Sequence, residues 1–233
     1  SSLGYTFHRY FNDQMDGKSS FVVKAANLAA RKGILVVNAA GNEGNSKWKF
    51  IGTPADADSI ISAGGIDPDT HYHIYFSSYG PTTDGRMKPN VSAYGDVAAV
   101  AKNNKIKRVQ GTSFSSPLIA GFAACAWQTN RSLTNMGLFK EIEKSGHLYP
   151  YFDYAHGFGI PQASHFINNK NIIEPTFEFV ETNEKISVKI HNLYSDNFDK
   201  QQYLYYNIQN NVGKLELYKI ILVMQQDIFL IKK

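Results

Sequence analysis

At 233 residues and 43% hydrophobic, the chain is long enough to bury one sizeable core and part of another. Its 24 Lys and Arg against 20 Asp and Glu leave a formal charge of +4, and only KNNKIKR at 102–108 concentrates it; so short a basic stretch without interleaved aromatics argues against a nucleic-acid surface. The apolar run IILVM at 220–224 is far below the ~20 residues a bilayer-crossing helix needs, so no membrane span is expected.

The chain opens with SSLGY, a pattern that reads as the middle of a strand, and a truncated N-terminus is expected. SFVVKAANLAARK at 20–32 spaces Phe21, Val22, Ala25, Ala26, Leu28 and Ala29 as a helix, with Ser20 as cap and Gly33 as stop. ILVVNAA then forms a continuous β-branched apolar run, as expected for a parallel strand buried on both faces. SIISAGGI at 59–66 is read the same way, and HIYFSSYGP at 73–81 as a strand entering a turn. DVAAVA at 96–101 and KIKRVQG at 105–111 are expected to pair across Asn103-Asn104.

From Ser115 to about Gln128 a helix is expected, with Pro117 near its start. Its small side chains are apolar nearly all round, which suits a central, closely surrounded helix. The single cysteine, Cys125, falls in that run and is expected to be a buried thiol. TNMGLFKEIEKSG supplies a further amphipathic helix capped by Thr134, with Met136, Phe139 and Ile142 on one side. NNKNIIEP at 168–175 looks like a boundary. Beyond it TFEFVET, KISVKIHNL, YLYYNI and KLELYKI alternate with period two, as half-buried antiparallel strands do. Residues 1–167 and 174–233 are therefore read as two domains, an α/β three-layer domain with a mostly parallel sheet and a partial all-β antiparallel one. The second has too few strands to close a sandwich or barrel, so a truncated C-terminus is expected.

Two positions carry candidate chemistry. Ser113, in GTSFSSP, has small neighbours and lies at a helix N-terminus, where unpaired N–H groups stabilise developing negative charge. Taken alone, a serine there is usually a cap. Asn42, in AAGNEG at 39–44, sits on a glycine-flanked turn after a buried strand, where a side-chain amide can be aimed rigidly at an oxyanion. Its ordinary alternative is a local Asx-turn. DPDTHYH at 67–73 places Asp67, Asp69, His71 and His73 at alternating positions; metal ligation is one reading, an exposed polar turn the commoner one. Ser77 and Ser78 are read as structural, and the tyrosines of the tail as packing residues.

AAGNEG, FSSYGP and GTSFSSP, in this order, resemble the subtilisin-like serine proteases, the subtilases. SSLG at 1–4, KPNVSAYG at 88–95 and GFGIP at 157–161 extend the resemblance over roughly the first 165 residues. It implies an incomplete subtilisin-like fold and a serine endopeptidase that forms an acyl-enzyme on Ser113, with Asn42 as oxyanion donor. It also implies a substrate cleft between Ser2, Leu3 and Gly4 on one side and Ala39, Ala40 and Gly41 on the other, with Thr112 at its edge. Peptide or protein is the implied substrate, large hydrophobic side chains are expected to fit, and secretion or placement in a bacterial cell envelope follows from the family's habit. Calcium is a common stabilising ion there, but no acidic loop here matches a site and no cofactor is assigned.

In the family an aspartate and a His-Gly-Thr histidine precede the serine. None of the seven histidines, His8, His71, His73, His147, His156, His165 and His191, stands before Gly-Thr. The chain is therefore expected to be a fragment, inactive alone. The alternative is a non-catalytic peptide-binding or surface-attachment protein. Oligomeric state is not legible.

Overall fold

The computed structural model of the chain describes residues 1–7, 9–168, 177–182, 185–190, 202–223 and 229–232. It divides into two compact units, Ser1–Asn171 and Ile172–Lys233.

In the first unit, helix α1 (Phe21–Arg31) begins where the Ser20 hydroxyl accepts the Val23 amide, satisfying one of the donors a helix start leaves unpaired. Gly33, at φ +88°, lets the chain turn away after the helix. Strands β1 (Val37–Ala39), β2 (Ile61–Ile66) and β3 (Val91–Tyr94) form a parallel sheet in the order β1-β2-β3, with Val37 opposite Ile61 and Ala63 opposite Val91. Every residue of β1 and β2 is buried, as parallel strands under helices must be.

Strands β4 (Asp96–Val100) and β5 (Ile106–Gln110) form an antiparallel hairpin, its turn made by Asn103 and Asn104 at φ 66° and 57°. Asparagine tolerates that left-handed backbone better than most residues. Helix α2 (Thr112–Thr129) follows, then α3 (Asn135–Lys144), where the Thr134 hydroxyl accepts the Gly137 amide, and short α4 (Ala163–Asn168).

Both faces of the sheet are covered. Val37, Ile61, Ala63, Val91 and Ala93 pack with Ile119, Ala123 and Ala126 of α2 and with Leu138, Phe139 and Ile142 of α3. Val36, next in the chain to Val37, packs instead with Val23 of α1, Ala57 and Ile60, because successive strand side chains point to opposite faces. A buried polar network ties strand to helix at one end: Lys88 Nζ donates to Ile60 O and to Asn90 Oδ1, each at 2.7 Å. Asn90 Oδ1 also accepts the Ser62 amide, and its Nδ2 donates to Glu143 of α3.

Several expectations are corrected. The segment 73–81 is not a strand; it makes turns and single bridges, Ile66 with His73 and Phe50 with Tyr79. Its hydroxyls explain this, since Ser77 Oγ accepts the Gly65 amide and Ser78 Oγ the Glu43 amide, work a ladder would otherwise do. On α1, Phe21 and Leu28 are exposed and Val23 and Ala30 are buried, so the apolar face is narrower than the spacing suggests. Helix α2 starts three residues earlier than expected, and one side of it, with Pro117, Leu118, Gly121, Ala124 and Cys125, is exposed. Cys125 is therefore an exposed thiol and not a buried one.

In the second unit, β6 (Phe177–Glu181), β7 (Lys185–Ile190) and β10 (Phe229–Lys232) form an antiparallel sheet in the order β10-β7-β6. β8 (Gln202–Gln209) and β9 (Leu215–Val223) form an antiparallel pair.

Candidate active site

Three segments meet at the N-terminus of α2: the turn after β1, the turn after β5, and the stretch 1–4. Gly111 is the residue before the helix, at φ +148°, and it has no side chain with which to cap. Ser113 is the second residue of the helix, half-buried, so it is not the cap. Its Oγ has no hydrogen-bond partner among the described residues, and neither does its amide.

Asn42 is held from 70 residues away. Its Oδ1 accepts both the Thr112 amide and the Thr112 hydroxyl at 2.9 Å, and Thr112 Oγ1 accepts the Gly41 amide at 3.2 Å. An N–H group can only donate, so the atom facing it must be the amide oxygen; Nδ2 is turned the other way. This is not a local Asx-turn. A methyl group built on Gly111 would lie 3.5 Å from Asn42 Nδ2 and 3.7 Å from the Ser113 amide nitrogen. The two donors therefore border one small space, which glycine leaves open. The first turn of α2 adds the positive end of the helix dipole at the same place.

The proposed cleft walls are anchored to the sheet. Ser1 pairs with β1 in parallel fashion, its nitrogen donating to Val37 O and its carbonyl accepting the Ala39 amide at 3.0 Å. Ser2 Oγ donates to Ser113 O at 3.0 Å, and Leu3 O accepts Asn38 Nδ2 at 3.0 Å. Leu3 is exposed, and a side chain on Gly4 would meet nothing. Opposite, Ala39 and Ala40 are buried. Gly41 has φ +115°, and a methyl there would come within 2.7 Å of Ser78 Oγ, so this wall has no room for a larger residue. Beyond Gly4, Tyr5 and Thr53 exchange backbone hydrogen bonds.

Ser2, Ala39, Gly41, Asn42, Thr112 and Ser113 thus come together. The family resemblance places Thr112 at the cleft edge; its grip on the Asn42 amide is not legible in sequence, because nothing local links residues 42 and 112. Nor was the part played by Gly111, although a glycine directly before a candidate nucleophile was a visible signal.

No described histidine is hydrogen-bonded to Ser113 Oγ. An Asp–His pair exists, Asp153 Oδ2 to His156 Nδ1 at 2.8 Å, but it is buried beside His73, with ring centroids 6.1 Å apart. Burial, then the neighbouring His156, brings His73 down to about 3 and His147 to about 4, so both are neutral at physiological pH. His73 Nε2 is 2.8 Å from Ser77 O, and His147 Nδ1 accepts the Ile160 amide. His8 and His191 lie outside the described residues.

The DPDTHYH side chains do not converge. Asp67 caps its own turn by accepting the Asp69 and Thr70 amides, Asp69 faces Arg108, and His73 points inward. Among the described residues no group of three or more His, Cys, Asp or Glu side chains is placed to hold a metal ion.

Residues 1–159 match the model of the subtilase family. Serine protease AprX of Bacillus subtilis (strain 168) is 32% identical over 166 residues, 62% of this chain and 36% of AprX. Subtilisin DY of Bacillus licheniformis is 38% identical over 107 residues, 46% of this chain and 37% of that protein. The solved structure of sphericase superposes with a TM-score of 0.55 at 27% identity, covering 70% of this chain and 55% of that one. The chain thus spans little more than a third of these curated relatives. With a parallel sheet, a serine on the first turn of a central helix and an asparagine amide turned beside it, matched over more than half its length, the chain belongs to the subtilase family of subtilisin-like serine proteases.

Proposed function

We propose that this chain is the nucleophile-bearing part of a serine endopeptidase, with Ser113 as nucleophile and the Asn42 Nδ2 and Ser113 N–H groups as the oxyanion hole. The observation that carries the reading is the convergence of those two donors on the space beside Gly111. In the reaction Ser113 Oγ attacks the peptide carbonyl, its proton passes to a base, and the negative charge on the former carbonyl oxygen is held by both donors. Collapse of that intermediate breaks the peptide C–N bond, the base handing its proton to the leaving amine. Water, deprotonated by the same base, then attacks the acyl-enzyme, releasing the carboxylic acid and restoring the Ser113 hydroxyl. Residues 2–4 and 39–41 border the bound peptide.

The base and its carboxylate belong, in this reading, to a further segment of the protein. What supports it is the bare side of α2: a helix apolar all round is normally enclosed, yet Leu118 is 46% exposed in line with Pro117, Gly121, Ala124 and Cys125. The chain alone is then inactive or nearly so, because an unassisted hydroxyl is a weak nucleophile. Placement outside the cytoplasm rests on family resemblance alone; among the described residues no helix is long and apolar enough to cross a membrane.

The competing reading is a protein that keeps the cleft and binds peptides without cleaving them. It draws on the lack of a histidine bonded to Ser113 among the described residues. A fluorophosphonate probe separates the two. Labelling of the full-length protein that disappears in Ser113→Ala supports the endopeptidase, whereas a full-length protein that stays unlabelled and hydrolyses no peptide favours the binding protein.

A further inference from the structure

Pro117 is the sixth residue of α2. In a regular helix its amide would donate to the carbonyl four residues earlier, which is Ser113. Proline has no N–H, so that carbonyl is left without its helical partner. The partner it has instead comes from 111 positions away in the chain: Ser2 Oγ donates to Ser113 O at 3.0 Å. One turn along, Ser116 Oγ donates to Ser1 O at 2.9 Å, and Ser1 is itself paired with β1. Residues 1–2 are thus clamped between the sheet and the first turn of the helix.

We propose that Ser2 is a positioning residue for the nucleophile: its hydroxyl replaces the hydrogen bond that Pro117 cannot make and holds the peptide plane that follows Ser113. The proposal rests on the reading of Ser113 as nucleophile. In most helices a first-turn carbonyl is locked by the helix itself, independent of anything outside. Here the lock has been moved onto a cleft wall, so the orientation of Ser113 depends on where residues 2–4 lie. An extended peptide docking along that wall bears on the same segment that holds the nucleophile. Occupancy of the cleft and alignment of Ser113 are coupled through one hydroxyl.

The test is a double-mutant cycle in the full-length protein, read as kcat and KM on a peptide substrate. Ser2→Ala is expected to lower kcat about tenfold with KM nearly unchanged, the size of one neutral hydrogen bond. Ser2→Thr, which keeps the hydroxyl, is expected to restore most of the loss. Pro117→Ala returns an amide donor to Ser113 O, so Ser2→Ala in that background is expected to cost less than about twofold. A general packing role for Ser2 would give the same loss in both backgrounds, and that outcome overturns the proposal. So does an unchanged kcat in Ser2→Ala when Ser113→Ala is inactive. Full activity in Ser113→Ala would instead overturn the assignment of the nucleophile, and this proposal with it.

Discussion

The side-chain oxygen of Asn42, Oδ1, sits 2.9 Å from both the amide nitrogen and the hydroxyl of Thr112, and these two hydrogen bonds fix which way the Asn42 side-chain amide faces. With Nδ2 as an oxyanion donor, Asn42→Ala in the full-length protein should lower kcat by about 10²–10³ with little change in KM. Thr112→Val keeps the amide bond to Asn42 but loses the hydroxyl bond and leaves the Gly41 amide unpartnered. A smaller kcat loss, about tenfold, is expected. Steady-state kinetics on one peptide substrate checks both; a fall in Asn42→Ala confined to KM would remove the oxyanion role.

Gly111→Ala tests the open space between the donors. The added methyl would stand where the oxyanion is expected, and an alanine at φ +148° is strained by about 1–3 kcal/mol. The expected result is a protein that folds with a lower melting temperature and loses at least 100-fold, roughly, in kcat. Melting curves alongside kinetics distinguish this from plain unfolding.

The Lys88 ammonium is buried against Ile60 O and Asn90 Oδ1, and burial, then the nearby Arg86, brings it down from 10.5 to about 7. Between those values the unfolded chain binds more protons than the folded one, so stability rises with pH from about 7 upward. Lys88→Met abolishes the titration. Denaturant midpoints at pH 7, 8 and 9 should climb in the parent protein and stay nearly level in the variant; parallel slopes would contradict this.

His73 and His147 give a dependence in acid. Their folded values of about 3 and about 4 lie below the ordinary 6.5, so the unfolded chain takes up protons first as pH falls. The contribution of these two histidines is fully present above about 6.5 and is lost progressively as pH falls through 4 toward 3. His147→Gln, whose amide oxygen can accept the Ile160 N–H, should lessen the decline between pH 6.5 and 4. Thermal melts across that range measure it.

What was readable without coordinates was mostly local. Ser20 and Thr134 cap their helices through the amide three residues on, and Asn103-Asn104 turns a hairpin, because these bonds lie within a few residues of the side chains that make them. The buried strand β2 was readable because Ile60, Ile61 and Ile66 bracket small residues within one glycine-containing stretch. β3 was not, because Val91–Tyr94 carries only four residues, too few to show a pattern. The segment 73–81 misled because its aromatic and β-branched content suits a strand, while its two serines bond backbone groups 12 and 35 residues away.

The sequence by itself determined the α/β class, the subtilase motifs and the pairing of Ser113 with Asn42 as candidates, since residue type and order carry that information. Only the tertiary structure decided that Thr112 aims the Asn42 amide, that Gly111 leaves the space between two donors open, that Ser2 holds the Ser113 carbonyl, and that Cys125 is exposed. Each of these depends on which distant segment arrives beside a residue, or fails to. A helix of small apolar residues looks the same in sequence whether one side of it is covered or bare.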